Sequence, residues 1–148
     1  MTGLEDAIIL ATKSHRGQRQ RNGEPYILHP LRVMMAVSDD NEKIAAILHD
    51  VVEDSDIALE DLLQAGYTPD VIELVRLLTH ENGKSYEAYI QRLRPNPSAR
   101  RIKIADLQDN MNVRRLPQMR QKDLDRLERY HKYWLLLRAD EENEQSVR

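Results

Sequence analysis

The segment EKIAAILHDVVED, residues 42–54, constrains this chain more than any other. Wound at about 100° per residue, its Ile44, Ile47, Leu48, Val51 and Val52 fall on one side, and such a face is stable only when buried. The opposite arc holds His49, Asp50, Glu53 and Asp54. Asn41 suits the N-cap of this helix, and Glu42 sits in the first turn, where the helix dipole favours an acid.

The same period recurs along the chain. Leu4, Ala7, Ile8 and Ala11 predict a helix ending near His15, and the polar SHRGQRQRNGEPY after it reads as a loop. After Pro30, Leu31, Met34 and Met35 share one helical face. LEDLLQAG is a short helix stopped by Gly66, and PDVIELVRLLTH is another with Pro69 in its first turn. NGK marks a turn, SYEAYIQRLR a helix, RPNPS a break, and ARRIKIADLQDNMNVRRL a longer helix running to Pro117. From Asp123, the positions Leu124, Leu127, Tyr130, Trp134 and Leu137 define a last amphipathic helix. The acidic ADEENEQSVR, residues 139–148, is expected to fray. With no alternating strand pattern, no repeat and no change of composition, the fold class is all-α, a helical bundle. One domain covers residues 1–148, a length that buries a core without disulfides.

Composition narrows the chemistry. The chain has no cysteine, so thiolate ligands and disulfides are excluded, and any metal must be held by histidine and carboxylate, as Mn, Fe, Co or Zn can be. No apolar run is long enough to cross a bilayer, and MTGLEDAIILATKSH lacks the pattern of a secretory leader, so a cytoplasmic protein without a membrane partner is expected. A formal charge of −3 argues against a general nucleic-acid binder. The local clusters Arg16, Arg19 and Arg21, then Arg100, Arg101 and Lys103, then Arg114, Arg115 and Arg120 suit a phosphate-bearing small molecule.

Helical spacing puts Glu53 about 40° from His49 and Asp54 about 40° from Asp50, so the four can converge on one ion. Taken alone, HDxxED is also what a solvated acidic face looks like. Two more residues bear on the choice. His29 precedes Pro30, which predicts an extended, rigid backbone at the histidine. Asp106 lies in the apolar IKIAD run, where a carboxylate needs a partner or water. Three separate segments thus offer His, His-Asp and Asp, a donor set for an octahedral ion with positions left for water and substrate. His15 reads as a stabiliser of the helix-to-loop junction, His80 and His131 as ordinary loop and helix residues, and Lys103 as a solvated helix lysine. Arg16 and Arg19 are placed to steer anions.

HRGQRQRNGEPYILHP (His15 to Pro30), LHDVVED (Leu48 to Asp54) and IKIADLQDN (Ile102 to Asn110) together resemble the hydrolase domain of RelA/SpoT-type enzymes, within the HD phosphohydrolase superfamily. Motif order and spacing are kept over nearly the whole chain, and its length matches the small stand-alone alarmone (ppGpp) hydrolases. The resemblance implies an all-α fold and a single divalent metal, usually Mn, on residues matching His29, His49, Asp50 and Asp106. It implies that Glu53 and Asp54 serve catalysis and that pyrophosphate leaves the 3′ position of guanosine tetra- or pentaphosphate. Asn110 matches a site asparagine, and Arg21 a basic residue that neutralises phosphate. Arg126 and Tyr130 fall where some stand-alone members hold substrate, although RxxxY is an ordinary helical spacing and Tyr130 also lies on the apolar stripe.

The departures concern the substrate. Where the family usually has two adjacent basic residues, the first commonly packed on the nucleobase, this chain has Gln20 and Arg21, and Gln20 cannot make a cationic stack. The family's ADRLHNMR reads ADLQDNMN here, so Leu107, Asp109 and Asn112 replace basic or potentially basic groups and a less positive pocket is expected. A nucleotide is the expected partner. The alternative is a nucleotide-sensing or protein-binding module that keeps the fold without turnover, against which the intact HDxxED weighs.

Overall fold

The computed structural model describes residues 2–147. Eight helices follow one another: α1 (Leu4–Ser14), α2 (Leu28–Met35), α3 (Asp40–Asp54), α4 (Leu59–Gln64), α5 (Pro69–Leu78), α6 (Tyr86–Leu93), α7 (Pro97–Asn110) and α8 (Gln121–Val147), with a 3-10 turn at Val113–Arg115. The all-α expectation holds, and the described residues contain no β-strand. Helix starts follow local chemistry. The side chains of Asp39, Thr68, Ser85 and Asn96 accept hydrogen bonds from the backbone N–H groups of Glu42, Val71, Ala88 and Ala99. Each such cap contributes about 1 kcal/mol. Pro69 and Pro97 stand in the first turns of α5 and α7, where a missing N–H costs nothing.

Helix α3 is the centre of the molecule and packs against α1, α2, α5 and α7. Its Ala45, Ala46, Ile47, Leu48 and Val51 are fully buried. The alanines let neighbouring helices approach closely, while Ile47, Leu48 and Val51 each contribute about 1.5–3 kcal/mol by leaving water. Helix α7 supplies the facing wall with Ile102, Ile104 and Leu107, and also packs on α2 and α8. This arrangement carries the end of α3 that bears His49 and Asp50 into the interior, beside the start of α2 and the last turns of α7. Between α1 and α2 the chain turns back on itself through Gln20 N–H to Glu24 O (2.8 Å) and Tyr26 N–H to Gln18 O (2.9 Å), with Gly23 at φ 87° closing the turn. No helix is long and apolar enough to cross a membrane among the described residues.

Several local expectations are corrected. Asp39, not Asn41, caps α3, because its extended backbone aims the carboxylate at Glu42 N–H. His29 is helical rather than extended: α2 begins at Leu28, so Pro30 lies in a first turn that does not need its N–H, and packing overrides the usual restriction on the residue before proline. The inward face of α2 buries Val33 and Met34 and leaves Met35 72% exposed. Helix α7 stops at Asn110, well before Pro117, and a 3-10 turn follows. In α8, Tyr133 and Leu137 are buried while Leu124 is exposed. Residues 139–147 continue α8 as helix. Arg94 pairs with Asp140 at 2.7 Å and Arg100 with Glu141 at 2.9 Å, so acids that looked solvating find cations on the α6–α7 corner. Arg148, in the same expected tail, lies outside the described residues.

Candidate active site

His49 and Asp50 from α3, His29 from α2 and Asp106 from α7 are all buried and meet at one point. His29 Nε2 lies 2.9 Å from Asp106 Oδ1 and 3.8 Å from Asp50 Oδ2. His49 Nε2 lies 3.2 Å from Asp50 Oδ1 and 3.5 Å from Asp106 Oδ1. One donor atom from each of His29, His49 and Asp50 falls within 4.8 Å of the others. The four residues read as ligands from three sequence segments are therefore brought together. Both imidazoles present Nε2 to the shared point, because Nδ1 is engaged elsewhere: His49 Nδ1–H donates to Ala46 O, and His29 Nδ1–H to Asp109 Oδ2 at 2.6 Å. Two imidazole nitrogens and two carboxylates, with no thiolate, fit a divalent Mn, Fe, Co or Zn ion.

Charge at the cluster is balanced by tight pairing. Burial disfavours charge on His29, but hydrogen bonds to Asp106 and Asp109 prevail and lift its pKa to about 10. Burial is likewise outweighed at His49, by the Asp50 and Asp106 charges, giving about 9. Asp106 is held well below the usual carboxylate range against its own desolvation, chiefly by the Lys103 charge. Lys103 is the largest surprise, since the sequence suggested a solvated side chain. It is buried, its Nζ donates to Asp106 Oδ2 at 2.7 Å, and it sits 5.0 Å from the ring centre of Tyr89 and 5.6 Å from that of Tyr86. By taking Oδ2 it leaves Oδ1 turned toward the histidines. Tyr26 does the same service for Asp50, donating to Oδ2 at 2.6 Å. The apolar neighbours of IKIAD hid Lys103, whereas the tyrosine in PYILHP was a signal available three residues before His29.

Glu53 and Asp54 follow on the last turn of α3 and are exposed. They line a cleft with Thr79, His80 and Glu81 rather than the cavity next to His29. Glu53 accepts a hydrogen bond from His80 N–H. Neighbouring protein atoms still strip some water from both carboxylates and raise their pKa, which makes them better proton acceptors. His80 thus contributes through its backbone, while its ring Nε2–H donates to Lys84 O at 2.7 Å. His15 serves the junction as expected: it is buried, bonds Gln18 Oε1 through Nδ1 at 2.9 Å, and its ring centre lies 5.0 Å from that of Tyr26.

A cavity of about 280 Å³ opens beside His29. All five residues read as substrate contacts, Gln20, Arg21, Asn110, Arg126 and Tyr130, line it, together with Arg19, Asn112 and Arg115. Its cations are partly matched, Arg21 pairing with Asp123. Gln20 is tied down on both sides, its Nε2 donating to Pro25 O and its Oε1 accepting from Arg32 Nη2, each at 3.2 Å. Of the four departures, Gln20 and Asn112 line the cavity, but Leu107 is fully buried and Asp109 turns toward His29, Arg32 and Arg115. Asp109 therefore does not line the cavity itself, but it pairs with Arg115, which does, and offsets that cation.

Two histidines and two aspartates buried around one point, beside a cation-lined cavity, make a candidate divalent-metal centre. The chain belongs to the HD domain family, whose model matches residues 7–121. It is 42% identical over 76 residues to a guanosine-3′,5′-bis(diphosphate) 3′-pyrophosphohydrolase of Vibrio cholerae, covering 49% of this chain and 11% of that relative. A protein of the same name from Aquifex aeolicus is 31% identical over 122 residues, covering 74% of this chain and 17% of that relative. The chain thus spans a small part of the curated relatives it matches. The solved structure of a metazoan ortholog of SpoT, described as hydrolysing ppGpp, superposes with a TM-score of 0.74 at 27% identity, covering 90% of this chain and 84% of that one.

Proposed function

We propose that this chain is a metal-dependent phosphohydrolase that removes pyrophosphate from the 3′ position of guanosine tetra- or pentaphosphate, acting in the cytoplasm as a single domain. The observation that carries the proposal is the convergence of His29, His49, Asp50 and Asp106 beside a cavity lined by Arg19, Arg21 and Arg126. The names of the relatives from Vibrio cholerae and Aquifex aeolicus, and of the metazoan SpoT ortholog, support the substrate.

In this reading the four residues hold one divalent ion, Mn first among the candidates. When bound, such an ion supplies Lewis acidity toward a phosphoryl oxygen and makes water nucleophilic near neutral pH. The chain's own groups do the rest. Lys103 and Tyr26 fix Asp106 and Asp50 through one oxygen each. Glu53, with Asp54 beside it, takes the proton of the attacking water on a carboxylate oxygen. Arg21 and Arg126 hold the phosphates, and Asn110 and Tyr130 border the same space. As water adds to phosphorus, the bond from phosphorus to the 3′ oxygen breaks, and that oxygen takes up a proton from solvent as it leaves.

The test is pyrophosphate release from guanosine tetraphosphate by Mn-loaded protein. Turnover in the wild type and none in His49→Ala is expected. Tight nucleotide binding with no release, unchanged by His49→Ala, would instead favour a sensing module.

A further inference from the structure

The two histidines of the cluster are supported differently. His49 is oriented from within its own helix, its Nδ1–H donating to Ala46 O three residues earlier. That carbonyl belongs to the α3 ladder and is present whatever the rest of the chain does. His29, near the start of α2, is instead held by a carboxylate from α7, with Asp109 Oδ2 at 2.6 Å from Nδ1. Asp109 is itself fixed: Arg32 Nε donates to Oδ1 at 2.7 Å, and Arg115 Nη2 donates to Asp109 O at 2.6 Å and approaches Oδ2 at 3.3 Å. Its side chain is only 11% exposed.

We infer that Asp109 is a positioning residue for the metal centre, orienting the His29 ring and fixing its proton on Nδ1 so that Nε2 is free to bind the ion. The inference rests on the reading of His29, His49, Asp50 and Asp106 as a metal site. A carboxylate accepting the second N–H of a ligating imidazole sets its tautomer and strengthens its donation, and losing such a partner typically weakens metal binding by about 10–100-fold. The neighbours of Asp109 argue against a role as a mere surface acid. Two guanidiniums hold both oxygens in place, and the helix end that carries it also carries Asp106, one turn earlier. His29 thus receives its metal-side neighbour and its outer partner from the same helix.

The test is Mn affinity by calorimetry on the full chain, alongside the substrate KM at saturating Mn and the melting temperature of metal-free protein. Asp109→Ala is expected to weaken Mn binding about 10–100-fold, with KM at saturating Mn changed far less. Asp109→Asn keeps an acceptor of the same size and is expected to lose several-fold. It serves in place of the alanine variant if that fails to fold. Arg32→Met frees Asp109 on one side while the Arg115 pair remains, and is expected to weaken Mn binding by less than Asp109→Ala does. Equal Mn affinity in wild type and Asp109→Asn or Asp109→Ala overturns the inference while leaving the metal site standing. Failure of the wild type to bind Mn removes the site reading and the inference together.

Discussion

The buried His–Asp cluster and the cavity beside it are built on different terms. In the cluster every donor has a second fixed contact: Ala46 O behind His49, Asp109 behind His29, Tyr26 on Asp50 and Lys103 on Asp106. In the cavity, Arg21 shares its charge with Asp123, Gln20 is bonded to its own loop, and Arg19 is exposed. Buried polar groups must be satisfied or they destabilise the fold, so the cluster is set by packing as much as by chemistry. Exposed arginines carry no such requirement. Substrate preference can therefore change at the cavity while the cluster stays as it is.

Substitutions should separate the two regions. Glu53→Gln removes the proposed proton acceptor, and kcat is expected to fall about 10²–10⁴-fold with Mn affinity retained. Unchanged kcat would move that role to Asp54 or to another group. Lys103→Met leaves Asp106 buried without its cation, and urea unfolding of metal-free protein should show a loss of about 3–5 kcal/mol, the range for breaking a buried pair. A loss below about 1 kcal/mol would mean that the histidines alone satisfy Asp106.

Proton linkage probes the cluster as a whole. With pKa values raised from 6.5 to about 10 and 9, His29 and His49 are protonated in metal-free protein at neutral pH. Their native pKa values lie above the unfolded ones, so the stability they contribute is complete below pH 6.5 and is lost as the pH rises through 9 and then 10. A metal ion must displace those protons, so Mn affinity should rise with pH and binding should release protons, measurable as a buffer-dependent heat. Heats independent of buffer would contradict this. The smallest effect belongs to the cavity. Gln20→Arg should improve turnover of guanosine tetraphosphate through KM by about two- to fivefold, the worth of an exposed cation–π contact, with kcat unchanged. No change would mean that the base is held some other way.

The sequence disclosed the cluster because its donors lie in motifs with a physical reason for their spacing: adjacent His49 and Asp50 on one arc, His29 beside a proline, Asp106 among apolar residues. The helices were legible for the same reason, through their apolar period and their proline and glycine boundaries. What escaped depended on partners far along the chain. Nothing near Lys103 indicates that its amine ends on a carboxylate between two tyrosines. Asp109 read as a lost positive charge, because its contacts with His29 and Arg32 form only once α7 packs on α2. The acids of α8 looked solvated until Arg94 and Arg100 came beside them. His29 reaches the cluster with a helical rather than an extended backbone, since a local rule about proline yields to helix packing.

The central claim is that four side chains from three helices form one divalent-metal site. Titrating metal-free wild type and Asp106→Ala with Mn tests it most directly. One Mn per wild-type chain, lost in Asp106→Ala, is the predicted result; a variant that binds Mn as tightly as wild type would contradict it.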